Sequence, residues 1–502
     1  MLINIFYITS YPLITELFLF LIVCFCLIFG SIYSNSMLVY FPVLTKSIHF
    51  FSLQGIFFSL ILLSNSSPIF FSYWNNLLSS DALAFYGKFI ILIFAIIWSN
   101  IFSISKVILN FEFWIIILLN IIALCLLIQA NDLLSIYLLI EFLSLTLYIL
   151  TSINRTSEFS TESGLKYFIL GAFASALLLF GFSLLYSFTG LTNLQDLLIF
   201  FTSYSTISTY FINLDWVFFI SISCILISFL FKLGAAPFHF WLPDVYEGAL
   251  NSVTSFFALL PKIAILSVLV RFIFLTFSDY LNNEIYIFLI ICTFLSSLIG
   301  TVGAFLQTKW KRFIAFSSVT HISFFLLNLC SLNSFNLIYL FIYLFIYLFM
   351  SSAFFAFFAF FSNFQFPIYF IPRFFTSLSF LNWTNPSLAL LFSVILFSFA
   401  GIPPFPGFFA KFFVLYTGIS SNFYFLIFSL LILNCISCFY YINLIKKSYF
   451  TDITFFYLPI VNSKDKGIAM SLSSLSFIIL FYFFDFEILF SFANLLHSAF
   501  LH

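Results

Sequence analysis

Apolar residues in this chain come in long unbroken runs, and polar residues fall between the runs rather than alternating within them. A run of ~20 apolar residues is the length of a membrane-crossing helix, whereas alternation at period two would mark strands. The runs predict spans near residues 11–31, 50–66, 84–105, 112–130, 132–150, 163–188, 215–238, 250–275, 284–306, 312–330, 335–362, 386–418, 422–445 and 468–490. That makes fourteen spans, with longer connections at 31–49, 67–83, 189–214, 363–385 and 446–467. The expected fold class is an all-α polytopic membrane protein. The first residues carry no basic region, so the run from Tyr11 to Ser31 is expected to stay as a span rather than be cleaved.

Two spans contain helix breakers. In the seventh, Phe231-Lys-Leu-Gly-Ala-Ala-Pro-Phe-His-Phe-Trp-Leu-Pro-Asp244 follows the apolar run directly. Proline removes a backbone donor and clashes with the preceding turn, so the helix must break there. In the twelfth, Phe399-Ala-Gly-Ile-Pro-Pro-Phe-Pro-Gly-Phe-Phe-Ala-Lys411 does the same. The breaks lie five spans apart. Five is odd, so a repeated five-helix unit would be inverted in the membrane, and helices 4–8 and 9–13 are the expected repeats, each with one discontinuous helix. Paired interrupted spans in two halves point to a transport site near mid-membrane. The chain then divides into three N-terminal helices (1–110), a first repeat (111–275), an inverted second repeat (276–447) and a C-terminal loop and helix (448–502).

Charge tests the span count. Loops after odd-numbered spans hold Lys46, Lys106, Arg155, Lys166, Lys309, Lys311, Arg312, Arg373, Lys446, Lys447, Lys464 and Lys466. The other side holds only Lys88 and Arg271, both near helix ends. A missed span would scramble that bias, which matches the excess of Lys and Arg on one face of membrane proteins. Both termini are expected away from the basic face. The loop after the seventh span departs from the pattern: it carries Asp244 and Glu247 and no basic residue. It has either a functional or assembly role or a local ionic partner.

Composition narrows the chemistry. The chain is 64% hydrophobic and 7% charged with zero formal net charge, so neither a soluble domain nor a nucleic-acid footprint is present. The abundance of Phe, with 85 copies, fits AT-rich codons and an organelle-encoded gene. The eight cysteines lie mostly inside apolar runs and are expected to be buried apolar groups, Cys435-Ile-Ser-Cys438 included. No iron–sulfur, haem or phosphate-loop spacing occurs, so no cofactor is expected on this chain.

The remaining signal is charge inside spans. Glu141, Lys232, Lys262, His321 and Lys411 all fall in apolar runs, and His239 follows the first break. A lysine costs about 2.5–3.5 kcal/mol at mid-membrane on insertion scales, so such residues are functional candidates. Glu141 requires a cation, and Lys232 is the expected partner. Burial disfavours the charged form of each, while pairing favours it, so a small change in their separation can move a proton. Lys232, Lys262, His321 and Lys411 form a titratable series of the kind that marks proton paths.

These residues carry a resemblance. Lys232-Leu-Gly-Ala-Ala-Pro-Phe-His-Phe-Trp-Leu-Pro-Asp-Val-Tyr-Glu-Gly-Ala249 resembles the signature of the antiporter-like membrane subunits of respiratory complex I. Leu139-Ile-Glu-Phe-Leu-Ser-Leu145, Thr161 to Ser175, Lys311-Arg-Phe-Ile-Ala-Phe-Ser-Ser318 and Ala400 to Lys411 are similar to further family motifs. The resemblance runs from about Phe85 to Lys447, while the first ~80 residues and 363–385 match poorly. The Asp244-Val-Tyr-Glu-Gly-Ala249 form, and the lack of a histidine in Asn251-Ser-Val-Thr-Ser-Phe-Phe257, are similar to the family's chain 2 branch.

The resemblance implies a proton-translocating subunit of NADH:ubiquinone oxidoreductase in the mitochondrial inner membrane, with both termini on the intermembrane-space side. It implies that NADH, FMN, iron–sulfur clusters and ubiquinone are handled elsewhere in the complex. Its implied partners are other membrane-arm subunits, antiporter-like and small hydrophobic, together with accessory subunits and lipids. By motif match, Glu141 and Lys232 correspond to the family's charge pair, Lys262 to its central lysine and Lys411 to the terminal lysine of the second broken helix. A subunit of a cation/proton antiporter and a structural spacer of the membrane arm are the alternatives.

Overall fold

A computed structural model describes residues 11–34, 41–67, 70–102, 110–207, 212–276, 283–331, 336–362, 373–379, 381–450, 466–482 and 487–497. Helices dominate it: α1 (Ile14–Ser34), α2 (Phe41–Ser64), α3 (Ala82–Ile101), α4 (Glu112–Gln129), α5 (Leu133–Thr151), α6 (Glu158–Thr189), α7 (Leu194–Ile207), α8 (Ile212–Leu233), α9 (Trp241–Gly248) and α10 (Asn251–Val270). There follow α11 (Asn283–Phe305), α12 (Trp310–Cys330), α13 (Asn336–Ser362), α14 (Leu381–Thr384), α15 (Pro386–Ala400), α16 (Pro406–Ser420), α17 (Tyr424–Tyr449), α18 (Lys466–Phe481) and α19 (Glu487–His497). Among the described residues, twelve helices are long and apolar enough to cross a membrane, and α7, α15, α18 and α19 are shorter apolar helices.

The sequence reading needs two adjustments here. The 189–214 connection contains a helix, α7, because Leu194, Leu197 and Phe201 recur at helical spacing and are all fully buried. The expected span at 468–490 is described as two helices, α18 and α19. The 67–83 connection holds a short antiparallel hairpin, β1 (Phe71–Tyr73) and β2 (Leu78–Ser80), at one end of the bundle.

Burial separates inner from outer helices. The span built on α10 is wholly buried and those of α12 and α13 are 89% buried, whereas α17 is only 33% buried. The inner helices therefore have protein on all sides, and polar side chains on them must find partners within the chain.

Both breaks use one local solution. Gly234 and Gly401 each take φ +80°, a left-handed conformation that a side chain disfavours. At the first, Gly234 N donates to Phe231 O at 3.0 Å and Ala235 N to Leu230 O at 2.9 Å. At the second, Gly401 N donates to Ser398 O and Ile402 N to Phe397 O, both at 3.2 Å. This is the Schellman closure of a helix C-terminus, and it lets α8 and α15 end inside the bundle. Trp241 Nε1 adds a second donor to Phe231 O, at 2.8 Å.

Two charges read from the sequence as near helix ends are in fact buried and paired. Lys88 Nζ lies 2.6 Å from Glu16 Oε1, both almost inaccessible, and Lys88 also donates to Pro12 O at 3.1 Å. Arg271 clasps Asp81 through Nη2, at 2.6 and 2.8 Å from its two oxygens, and donates from Nη1 to Ser79 Oγ at 2.9 Å. Asp81 also caps α3 by accepting from Ala84 N at 2.9 Å. These pairs pin α1, α3, the hairpin and the end of α10 together.

Candidate functional site

Three small cavities run through the inner helices. The first is lined by Lys232 and Lys262 together with Tyr167, Trp241 and Tyr246. A second is lined by Tyr347, Ser317, Ser318, Ser351, Phe399 and Tyr441. The third is lined by His321, Lys411, Asn434 and Ser437, and shares Phe399 and Tyr441 with the second. Their volumes are about 10, 20 and 10 Å³, and a cavity of ~10–15 Å³ holds about one water.

The groups between the cavities are in contact. Lys262 Nζ donates to Tyr347 Oη at 2.7 Å and lies 4.8 Å from the centroid of that ring. The Tyr347 ring packs 5.2 Å from the His321 imidazole, whose Nδ1 is 2.8 Å from Tyr343 Oη. Lys411 Nζ donates to Phe399 O at 2.8 Å, Ala400 O at 3.0 Å and Asn434 Oδ1 at 2.7 Å. It thus satisfies orphan carbonyls where α15 ends, and the negative end of that helix favours its charge. Lys262, His321 and Lys411 are all buried.

Lys232 and Glu141 do not meet as expected. Lys232 Nζ has no hydrogen-bond partner among the described residues and lies 6.0 Å from the centroid of the Tyr148 ring. Glu141 is only partly buried, on the face of α5 that carries exposed Leu134, Leu138 and Leu145. It contacts Ser144, whose Oγ is 3.4 Å from Oε2. Glu141, Ser144 and Tyr148 form one stripe on α5, and seven residues of helix put Glu141 about 10 Å along the axis from Tyr148. Ser144 and Tyr148 therefore stand where a direct pair was expected.

His239 is buried and stacks on Phe240 with ring centroids 4.9 Å apart, but it is not among the residues that line the three cavities. Cys438 is half-buried and directs Sγ to Ala400 O at 3.2 Å, while Cys435 is exposed rather than buried as expected. Asp244 and Glu247 do find ionic partners, but distant in sequence: Lys166 lies 3.0 Å and Arg312 Nη2 3.1 Å from Asp244, and Lys309 and Arg312 Nε both pair with Glu247.

The sequence reading did not name Tyr347, Tyr343, Asn434 or the serines of the middle cavity. A signal for the tyrosines exists: Tyr339, Tyr343 and Tyr347 recur every four residues along α13 and share a face.

Two broken helices in a many-helix membrane bundle, with buried lysines beside each break, define an antiporter-like membrane subunit. The family model described as NADH:quinone oxidoreductase/Mrp antiporter, TM, matches residues 130–437. NADH-ubiquinone oxidoreductase chain 2 of Marchantia polymorpha is 35% identical over 476 residues, covering 93% of this chain and 95% of the relative. NADH-quinone oxidoreductase subunit N of Wolbachia sp. subsp. Brugia malayi is 36% identical over 373 residues, covering 73% and 75%. A chain in the structure of respiratory complex I from Thermus thermophilus with bound aureothin has the same fold, with TM-score 0.77 at 23% identity over 95% of this chain and 98% of that one. The chain belongs to the family of NADH-ubiquinone oxidoreductase chain 2 and its counterpart subunit N. The likeness to Marchantia extends beyond the Phe85–Lys447 stretch read from the motifs.

Proposed function

We propose that this chain is a proton-translocating membrane-arm subunit of NADH:ubiquinone oxidoreductase, working through Lys232, Lys262, His321 and Lys411, with Glu141 as the charge that biases Lys232. The observation that carries this reading is the continuity of the buried groups: Lys232 and Lys262 share a cavity, Lys262 bonds Tyr347, Tyr347 packs on His321, and His321 shares a cavity with Lys411. A buried lysine or histidine can hold or release a proton when the charge around it changes, and each cavity has room for about one water beside these groups.

Quinone reduction elsewhere in the complex changes the field or geometry at Glu141 and Lys232. The gap between them, spanned by Ser144 and Tyr148, makes Lys232 responsive, because no fixed hydrogen bond holds its proton. A proton displaced from Lys232 enters the cavity shared with Lys262 and passes by Tyr347 and His321 towards Lys411. The helices divide into a first unit at 111–275 and an inverted second unit at 276–447, with the relay crossing between them. NADH, FMN, iron–sulfur clusters and ubiquinone belong to partner subunits, which with lipids surround the exposed apolar faces of this chain. The setting is the mitochondrial inner membrane, with both termini on the intermembrane-space side.

The test is the proton-to-electron ratio of the reconstituted complex carrying Lys232→Ala. The ratio is expected to fall while NADH oxidation continues; an unchanged ratio at full assembly overturns the relay. A cation/proton antiporter role is the second reading, supported by the family model, which spans both types. It requires sodium–proton exchange without NADH.

A further inference from the structure

The acidic half-helix α9 has two working sides. On its outer side, Asp244 meets Lys166 of α6 and Arg312 of α12, and Glu247 meets Arg312 and Lys309 at the start of α12. Lys311 of α12 also donates to Ala249 O, just past the end of α9. On its inner side, Trp241, Leu242 and Tyr246 line the Lys232–Lys262 cavity. Trp241 further holds Phe231 O, one residue before Lys232. Upstream, α9 is joined to α8 through the non-helical break, so the two are not one continuous helix. The half-helix also fits tightly: a Cβ on Gly248 would lie 2.3 Å from Phe159 O of α6.

We propose that Asp244 and Glu247 form an ionic latch by which α12, the helix carrying His321, holds α9 and thereby sets the wall of the Lys232–Lys262 cavity. They are positioning residues: neither touches Lys232 or Lys262. The carboxylates are 21–35% exposed and their cations 36–44% exposed, so each contact is weak alone and screened by salt. Two carboxylates held by three cations from two helices act together, and the hold remains breakable. Opening the latch frees α9 to tilt about the break and moves Trp241 and Tyr246 relative to the two lysines. Displacement of α12 in one half is thereby transmitted to the lysines of the other. This transmission rests on the relay reading; the latch itself does not.

The experiment is hydrogen–deuterium exchange of the 241–249 segment in the intact, solubilised complex, paired with the proton-to-electron ratio after reconstitution. In the native complex, raising ionic strength is expected to speed exchange in this segment before that of α10, because the contacts are part-exposed. The double variant Asp244→Asn/Glu247→Gln is expected to speed it about 5- to 30-fold and to lower the proton ratio with NADH oxidation retained. Exchange in 241–249 that responds neither to salt nor to the double variant overturns the latch. Faster exchange with an unchanged proton ratio, in a complex whose ratio does fall with Lys232→Ala, overturns the transmission and leaves the relay standing. If neither variant alters the ratio, the relay fails and the transmission with it. Should the double variant not assemble, the salt response of the native complex decides the latch.

Discussion

Replacing Tyr347 by Phe removes one oxygen atom from the middle of the proposed path and leaves the ring. Lys262 Nζ loses a donor–acceptor contact of 2.7 Å, while the ring face 4.8 Å away and the packing on His321 at 5.2 Å persist. Tyr347 is 3% exposed, so no bulk water replaces the lost acceptor. A hydrogen bond to a charged group contributes about 1.5–3 kcal/mol, and a charge buried without it bears the desolvation cost. At ~1.4 kcal/mol per factor of ten, Lys262 holds its proton roughly 10- to 150-fold less well, so the step towards His321 is loaded less often. The assay is NADH-driven acidification by proteoliposomes bearing the Tyr347→Phe complex, with NADH oxidation followed in parallel. The proton ratio is expected to drop, with little change in assembly because the shape of the side chain is kept. Native pumping at native turnover would show that protons do not pass this hydroxyl, and the central segment of the route would have to be redrawn.

Two further outcomes follow from packing. Glu16→Gln leaves Lys88 buried with its charge unanswered, and breaking such a pair costs about 3–5 kcal/mol. The complex should therefore release this chain at a lower temperature, and Glu16→Leu with Lys88→Met should recover most of the loss in the same thermal assay. Gly407→Ala places a Cβ 1.7 Å from Ser398 O, a backbone atom that cannot step aside, so α15 and α16 must separate. Overpacking costs ~1–3 kcal/mol or more, and the displaced Lys411 should lower the proton ratio even in complexes that assemble.

Most of the spans and the buried cations were legible in the sequence because each is costly to misplace. A lysine in an apolar run stands out by several kcal/mol, so Lys232, Lys262 and Lys411 announced themselves. The two breaks were legible for the same reason, since proline and glycine cannot continue a helix there. Rotational phase was not legible. Which way Glu141 faces depends on how α5 turns against its neighbours, and the stripe Glu141–Ser144–Tyr148 replaced the expected contact with Lys232. Tyr347 escaped notice because a tyrosine among phenylalanines costs little and leaves no mark, although its four-residue recurrence with Tyr339 and Tyr343 was there to read. Lys88 and Arg271 looked interfacial because their partners, Glu16 and Asp81, lie on other elements that only folding brings near.

The measurement that bears most directly on the central claim is the proton-to-electron ratio of the complex carrying Lys262→Met. Methionine keeps the length and apolar stem of the lysine, so the wall of the shared cavity is retained while the amine that bonds Tyr347 is removed. The account predicts a ratio below that of the native complex, with NADH oxidation continuing. A native ratio at native turnover in a fully assembled complex would contradict it.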